Sequence, residues 1–171
     1  MRIVGIDPSL VRTAVVVLPS GWPWKWSEVD SELFGRSLPR GCSEVDRIQR
    51  CRSIAAGVVA WCLDRGATHA WIESYAYSRA DQAHSLGELG GILRDRLIGA
   101  FIRIESAPIS SARKLLLGKC PRTGAEAKTQ VAAAVRAAGG PPWSLDESDA
   151  FAVANWGTSQ MGLVALAQVA R

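Results

Sequence analysis

The sequence predicts an α/β fold built on a mixed β-sheet. Short apolar runs rich in β-branched residues, at residues 2–6, 13–18 and 69–72, have the length of buried strands. Longer segments with a helical spacing of apolar residues, such as residues 43–64, separate the later strands. The first two runs are close enough to form a hairpin, whereas helical connections favour parallel pairing, so the sheet is expected to be mixed. The length of 171 residues predicts one domain, residues 1–171.

The N-terminal quarter of the chain is predicted to hold three strands. The run at residues 2–6 stops at Asp7-Pro8, and the run at residues 13–18 follows a turn near residues 9–12. Residues 19–41 are rich in Gly, Pro and Trp, which predicts a loop and a third strand. The tryptophan-rich stretch at residues 22–26 is interpreted as packing in the core or on an edge strand.

Two long helices carry recognisable start signals. Ser43 with Asp46, and Ser78 with Asp81, have the spacing of a capping box. The predicted buried face of the helix over residues 43–64 consists of Val45, Ile48, Ala55, Val58, Val59 and Cys62. The predicted buried stripe of the helix that begins at Ser78 consists of Leu86, Leu89, Leu93 and Leu97.

Three glycines, Gly87, Gly90 and Gly91, lie in the middle of this second helix. A glycine inside a helix costs about 1 kcal/mol relative to alanine. Close approach of another backbone is the usual compensation, so we expect one here.

The rest of the chain alternates strands with helices. A strand at residues 69–72 ends at Glu73, and a further strand is predicted at residues 100–104. With the three N-terminal strands this makes a five-stranded sheet flanked by helices. Three more helices are predicted, at residues 108–117, 125–138 and 146–156.

Composition excludes several classes of protein. A hydrophobic content of 48% with a net charge of only +4 argues against disorder. The four cysteines form no C-x-x-C pair, so neither a zinc knuckle nor a thioredoxin-like site is indicated, and a reduced, cytoplasmic chain is expected. We expect no secretory signal. Residues 150–170 lack charge, but five polar side chains interrupt them, which favours a buried helix over a membrane span.

Basic residues are concentrated in one segment. Between residues 112 and 128 there are five of them against a single acid, Glu126. The five are Arg113, Lys114, Lys119, Arg122 and Lys128. Such a segment predicts contact with phosphates, although a solvated helix face is the alternative.

Four acids end or begin apolar elements. Asp7 and Glu73 each follow a predicted strand, and ligands of open α/β sheets bind outside the carboxyl ends of strands. Asp146 and Asp149 are spaced i, i+3 and therefore share one face of the last helix.

Clustered carboxylates without His or Cys partners suit hard cations. Such acids repel one another and are costly to bury unless a cation balances them. Oxygen ligands of this kind favour Mg²⁺ or Mn²⁺ over zinc. Four acids are enough to hold two ions, one to activate a water and the other to stabilise the leaving oxygen of a phosphodiester. Taken singly, each acid is equally compatible with a cap or loop position.

Five motifs, in order and over nearly the whole chain, resemble those of the RuvC family of Holliday-junction resolvases. They are IVGIDPS at residues 3–9, IESY at 72–75, ADQAHSLGELGG at 80–91, KLLLG with AKTQV at 114–118 and 127–131, and DESDAFAVA at 146–154. The resemblance implies a ribonuclease H-like fold and a homodimer formed through the helix at residues 79–97. It also implies a divalent-metal endonuclease that resolves four-way DNA junctions by nicking two opposed strands.

The same resemblance implies roles for individual residues. The metal ligands would be Asp7, Glu73, Asp146 and Asp149, holding Mg²⁺ or Mn²⁺, with Lys128 as a further catalytic residue. The residues expected to contact DNA are Ser9, Tyr75, Tyr77, Arg79, Arg113, Lys114, Lys119, Arg122 and Lys128.

The chain departs from the family pattern at two positions. Ser9 stands where the opening motif usually has Gly, and we interpret it as a turn residue with phosphate binding as the alternative. Ala76 stands where the family often places an aromatic wedge. Tyr75 and Tyr77 flank Ala76, and either could stack on unpaired bases.

Other functions remain open at this point. A nuclease of the same fold could act on flaps, forks or branched replication intermediates, because its metal site would be the same. A non-catalytic junction-binding protein is disfavoured, because it would not need four acids. An actin-like phosphotransferase is disfavoured by the short chain and by the lack of a Gly-rich phosphate loop.

Overall fold

In the computed structural model, five strands form one mixed sheet in the order β3-β2-β1-β4-β5. The structure describes residues 1–20, 24–35, 37–39, 41–74, 80–118 and 123–163, without the side chains of residues 80–83. The strands are β1 (Arg2–Asp7), β2 (Thr13–Pro19), β3 (Asp30–Phe34), β4 (His69–Glu73) and β5 (Arg103–Ala107). The first three pair antiparallel, and β4 and β5 continue the sheet parallel to β1, as predicted.

Helices cover both faces of the sheet. They are α1 (Glu44–Asp64), α2 (Ala80–Gly99), α3 (Ile109–Leu117), α4 (Gly124–Ala137) and α5 (Leu145–Gln160), with a 3₁₀ turn at Trp26–Glu28. Val4 and Ile6 of β1 share one core with α1 and α2. Ala14 and Val16 of β2 share the opposite core with α5. Helix α5 also contacts α3 and α4, so it lies between them and the sheet.

The burial of α5 explains why its residues 150–160 carry no charge. Nearly every residue from Ser148 to Thr158 is buried, because the sheet covers one side of the helix and α3 and α4 cover the other. Gly5 permits this packing, since a Cβ at Gly5 would overlap the carbonyl oxygen of Ala150 and the backbone nitrogen of Ala154. Helix α5 therefore lies directly on β1.

The capping signal of α1 is confirmed, but the predicted buried face is shifted. Ser43 caps the helix and accepts a hydrogen bond from the backbone amide of Asp46. Val45 is wrong as a core residue, since 63% of it is exposed. It lies in the first turn, ahead of Cys51, the first residue of the helix that is buried against the sheet. The buried residues are Cys51, Ile54, Ala55, Val58, Trp61 and Cys62.

The fifth strand begins three residues later than predicted. Helix α2 continues to Gly99, and the amide of Ile102 still bonds back to the carbonyl of Leu97. Phe101 has a left-handed backbone, with φ at 58°, and this residue redirects the chain into β5. The apolar residues at 100–102 therefore complete the helix end instead of starting the strand.

The tryptophans of the N-terminal loop pack in the core, in agreement with the sequence interpretation. The rings of Trp24 and Trp26 meet edge to face, with centroids 5.1 Å apart. Both also contact Phe151 of α5, and Trp143 completes the cluster. Trp22 lies outside the described residues.

Two further observations concern the described part of the chain. None of its helices has both the length and the apolar character needed to cross a membrane. Cys42, Cys51 and Cys62 are free thiols.

Candidate active site

The structure brings the four predicted acids together at one end of the sheet. Asp7 is the last residue of β1, and Glu73 is the last residue of β4, its parallel neighbour. Side chains alternate between the faces of a strand, so Asp7 shares the face of Gly5, which lies under α5. Asp146 and Asp149 lie in the first turns of α5, and their charges act on Asp7. The contact between α5 and β1 therefore assembles the site.

Asp7 and Glu73 share a hydrogen bond between their carboxyl groups. Desolvation, together with this bond and the charge of Asp7, raises the pKa of Glu73 to about 9. Burial also raises the pKa of Asp7, against the opposing effects of Glu73 and Lys128. The pair consequently retains one proton at neutral pH, and Glu73 is its main carrier.

Lys128 of α4 places its ammonium among three of the carboxylates. Its Nζ lies 2.8 Å from Asp146, 3.3 Å from Asp149 and 3.5 Å from Asp7. Burial lowers the pKa of Lys128, but these negative charges, led by Asp7, outweigh burial and raise it overall. Lys128 is therefore charged and serves as the internal counterion of the cluster.

Arg113 of α3 supplies the second internal cation. Its guanidinium donates two hydrogen bonds to the fully buried Asp149, of 3.0 Å from Nε and 2.7 Å from a terminal nitrogen. Only 12% of the Arg113 side chain is exposed. We expected this arginine to contact DNA, and the structure places it against a site carboxylate. Nothing in the sequence spacing pairs Arg113 with Asp149, because the two residues lie on different helices.

Arg12 is a site residue that the sequence reasoning did not consider. It lies in the turn between β1 and β2, and its Nε is 3.7 Å from Asp146. About half of its side chain is exposed, so it stands at the rim of the cluster. The sequence signal that could have identified Arg12 as a site residue is its position, five residues after Asp7.

Besides Arg113 and Lys128, two of the predicted DNA contacts, Ser9 and Lys114, lie among the described residues. Ser9 closes the β1–β2 turn, where its hydroxyl accepts from the amides of Val11 and Arg12, as the turn interpretation expected. Lys114 is exposed in the last turn of α3. The other predicted contacts lie outside the described residues, and they are Tyr75, Tyr77, Arg79, Lys119 and Arg122.

The donor set fits a hard divalent cation. All four candidate ligands are carboxylates, and two of them are so close that they share a proton, which is the arrangement that a bound cation relieves. Within the described residues, no three acids, histidines or cysteines form a preassembled metal-ligand group. Lys128 and Arg113 instead balance the acids in the described geometry.

A mixed five-stranded sheet with acids at the ends of its two central parallel strands, and a helix carrying further acids across them, defines a ribonuclease H-like fold. Two solved structures of RuvC from Thermus thermophilus share it. One has a TM-score of 0.66 and 19% sequence identity, over 96% of this chain and 99% of that chain. The other, RuvC in complex with a Holliday junction substrate, has a TM-score of 0.69 and 19% identity, over 96% of this chain and 98% of that chain.

Comparison of the sequence with known families and curated proteins gives no match. No protein-family model matches the chain, and no curated protein matches it. The structural likeness confirms the predicted RuvC-like fold, and it extends over almost the whole chain.

Because Asp7 and Glu73 share a proton, the free energy of unfolding should depend on pH when EDTA keeps metal ions away from the site. The folded-state pKa of Glu73 is raised from 4.5 to about 9, so the stabilisation is complete below about pH 4.5 and is lost as the pH rises towards 9. A single proton accounts for a slope of at most about 1.4 kcal/mol per pH unit. Glu73→Gln keeps a hydrogen-bonding group without the ionisation and should flatten this dependence. Thermal unfolding between pH 5 and pH 9 measures it.

Glu105→Gln, at an exposed position on β5, is the matched control and should follow the wild type. An equal slope for Glu73→Gln and the wild type would contradict the shared proton.

Proposed function

We propose that this chain is a divalent-metal-dependent endonuclease that resolves four-way DNA junctions by paired, symmetric nicks. The observation that carries the proposal is the convergence of four carboxylates, at the ends of β1 and β4 and at the start of α5, on a RuvC-like fold. The similar Thermus thermophilus RuvC has been solved with a Holliday junction substrate, which supports the choice of DNA substrate. A protein that only bound junctions would not need these four acids. Their presence therefore supports catalysis.

The residues of the site have separable roles in this proposal. Asp7, Glu73, Asp146 and Asp149 would hold two Mg²⁺ or Mn²⁺ ions, which supply Lewis acidity for hydrolysis of the phosphodiester. Lys128 would stabilise negative charge on the phosphate during cleavage. Arg113 holds Asp149 in one orientation through two hydrogen bonds and is therefore a positioning residue.

Lys128 also competes with the metal in this proposal. Its ammonium contacts three of the four acids, so a divalent ion bound to the same oxygens must displace it from them. The displaced side chain is then free to approach the substrate phosphate. Lys128 thus exchanges one anionic partner for another when the site is loaded.

A homodimer formed through α2 is part of the proposal. Gly87 and Gly91 have open space where a Cβ would lie, so nothing in the described protomer compensates for these two helical glycines. Ile98 falls on the same stripe of the helix and is 60% exposed. A second copy of the chain against this stripe would provide the close backbone approach that the sequence predicts. A two-fold dimer also matches a two-fold junction.

We expect Asp7→Asn to fold and to bind a four-way junction, yet to lose cleavage by at least about a hundredfold, because one ligand oxygen loses its charge. The assay uses a labelled immobile junction, a linear duplex and a flap, each with Mg²⁺ or Mn²⁺. Glu105→Gln is the control and should cut like the wild type.

Undiminished cutting by Asp7→Asn would contradict the assignment of the site. Wild-type cutting of duplex and flap as efficiently as the junction would favour the broader structure-selective nuclease. Tight junction binding without any cutting by the wild type would favour a binding protein.

We expect Lys128→Met to have two effects of opposite sign. Loss of the internal cation lowers the melting temperature in EDTA, while removal of the competing charge strengthens Mn²⁺ binding by about tenfold or more. Thermal unfolding and calorimetric titration with MnCl₂ measure the two effects. Lys114→Met removes the same charge from an exposed position and should change neither quantity. Weaker Mn²⁺ binding by Lys128→Met would show that the ammonium does not compete with the metal.

The dimer is tested at Gly91. Gly91→Glu introduces a charged side chain where the protomer has open space, so the fold is retained, but a second helix could no longer pack closely. Light scattering at micromolar concentration should give the dimer mass for the wild type and the monomer mass for the variant. Ala56→Glu, at an exposed position on α1, should remain dimeric. A monomeric wild type would refute this part of the proposal.

A further inference from the structure

A small cleft lies between the C-terminal end of β3 and helix α1. Its volume is about 120 Å³, and it is lined by Phe34, Gly35, Arg50, Ser53 and Ile54. A cavity needs only roughly 10–15 Å³ to hold one water, so this cleft has room for a larger polar group. We call it the Arg50 cleft.

The chemistry of the Arg50 cleft is that of an anion site. The Nε of Arg50 is buried and has no hydrogen-bond partner among the described residues. A guanidinium stays charged at all physiological pH values, and a buried donor left unpaired costs about 1–3 kcal/mol. An anion in the cleft would balance the charge of this guanidinium. Ser53 adds a hydroxyl at the exposed side of the same cleft.

A second arginine of α1 lies near the cleft. Arg47 lies one helical turn before Arg50 on α1 and is exposed. Neither arginine takes part in an ion pair within the described ranges, whereas Arg12, Arg65 and Arg113 each do. An anion therefore meets two unpaired cations here.

The cleft lies at the same end of the sheet as the carboxylates. Phe34 pairs with Thr13 of β2, and the neighbouring Ala14 pairs with Asp7. Phe34 and Asp7 lie on strands two positions apart in the sheet, and Phe34 packs on the α1 face whereas Asp7 faces α5. Gly35 packs on the turn that carries Arg12, since a Cβ at Gly35 would meet the carbonyl oxygen of Val11. One turn thus connects the cleft to the rim of the active site.

We propose that the Arg50 cleft binds one backbone phosphate of the DNA strand that is cleaved, on the side of the scissile bond that leads past the β1–β2 turn. The inference rests on the proposed function and adds a substrate contact to it. Arg50 would donate from its terminal guanidinium nitrogens to the phosphate oxygens, since the planar fork of arginine suits phosphates.

The test compares two arginines of the same helix. Arg50→Ala should weaken junction binding by about tenfold and reduce the slope of log affinity against log salt by about one, because one phosphate contact is lost. Arg52→Ala removes the same charge from an exposed position that lies outside the cleft, and should change affinity by less than about twofold. Binding is measured in EDTA, so that cleavage does not intervene. Arg50→Lys keeps the charge, and should restore the salt slope but only part of the affinity.

The outcomes separate this contact from the proposed function. Equal effects of Arg50→Ala and Arg52→Ala, or no effect of either, would overturn the cleft as a phosphate site while leaving the nuclease intact. A lower melting temperature of Arg50→Ala with an unchanged salt slope would overturn it too, since Arg50 would then be structural. A wild-type chain that fails to bind branched DNA would overturn the proposed function and this contact together.

Discussion

The packing of α5 directly on β1 is the contact on which the site depends. A side chain at Gly5 would overlap the backbone of α5 near Ala150 and Ala154, so only glycine allows the helix to lie this close. The first turns of the helix then stand beside the end of the strand, where Asp7 is located. Asp149 is fully buried as a result, and it forms ion pairs there with Arg113 and Lys128, which reach it from the outer helices. Helix packing and charge compensation are therefore coupled.

The outer helices α3 and α4 balance the charge of the site in addition to covering the core. Helix α3 contributes Arg113 and helix α4 contributes Lys128, and between them they contact three of the four acids. Glu73 has neither cation within ion-pair distance, and it holds a proton shared with Asp7 instead. The cluster therefore contains two positive charges that another cation can replace: the proton shared by Asp7 and Glu73, and the ammonium group of Lys128. The proposed divalent ions would replace both at the carboxylates.

Much of the fold was predictable because it depends on local signals. The strand ends, the capping box at Ser43 and the mixed sheet all follow from short-range patterns. The start of β5 was not predictable from the sequence, because residues 100–102 are as apolar as a strand. Only the left-handed backbone at Phe101 ends the helix there. Val45 was misplaced because helical periodicity gives the direction of a side chain but not the point at which the helix reaches its partner.

The sequence by itself determined which chemical groups the site contains and at which ends of the elements they lie. Asp7, Glu73, Asp146 and Asp149 are found where strand ends and the last helix put them. Only the tertiary structure decided their partners: the proton between Asp7 and Glu73, the ammonium of Lys128 among three acids, and the pairing of Arg113 with Asp149. The physical reason is that alternation and capping act over a few residues, whereas ion pairs join residues as far apart as 7 and 128 through the way whole helices pack on the sheet.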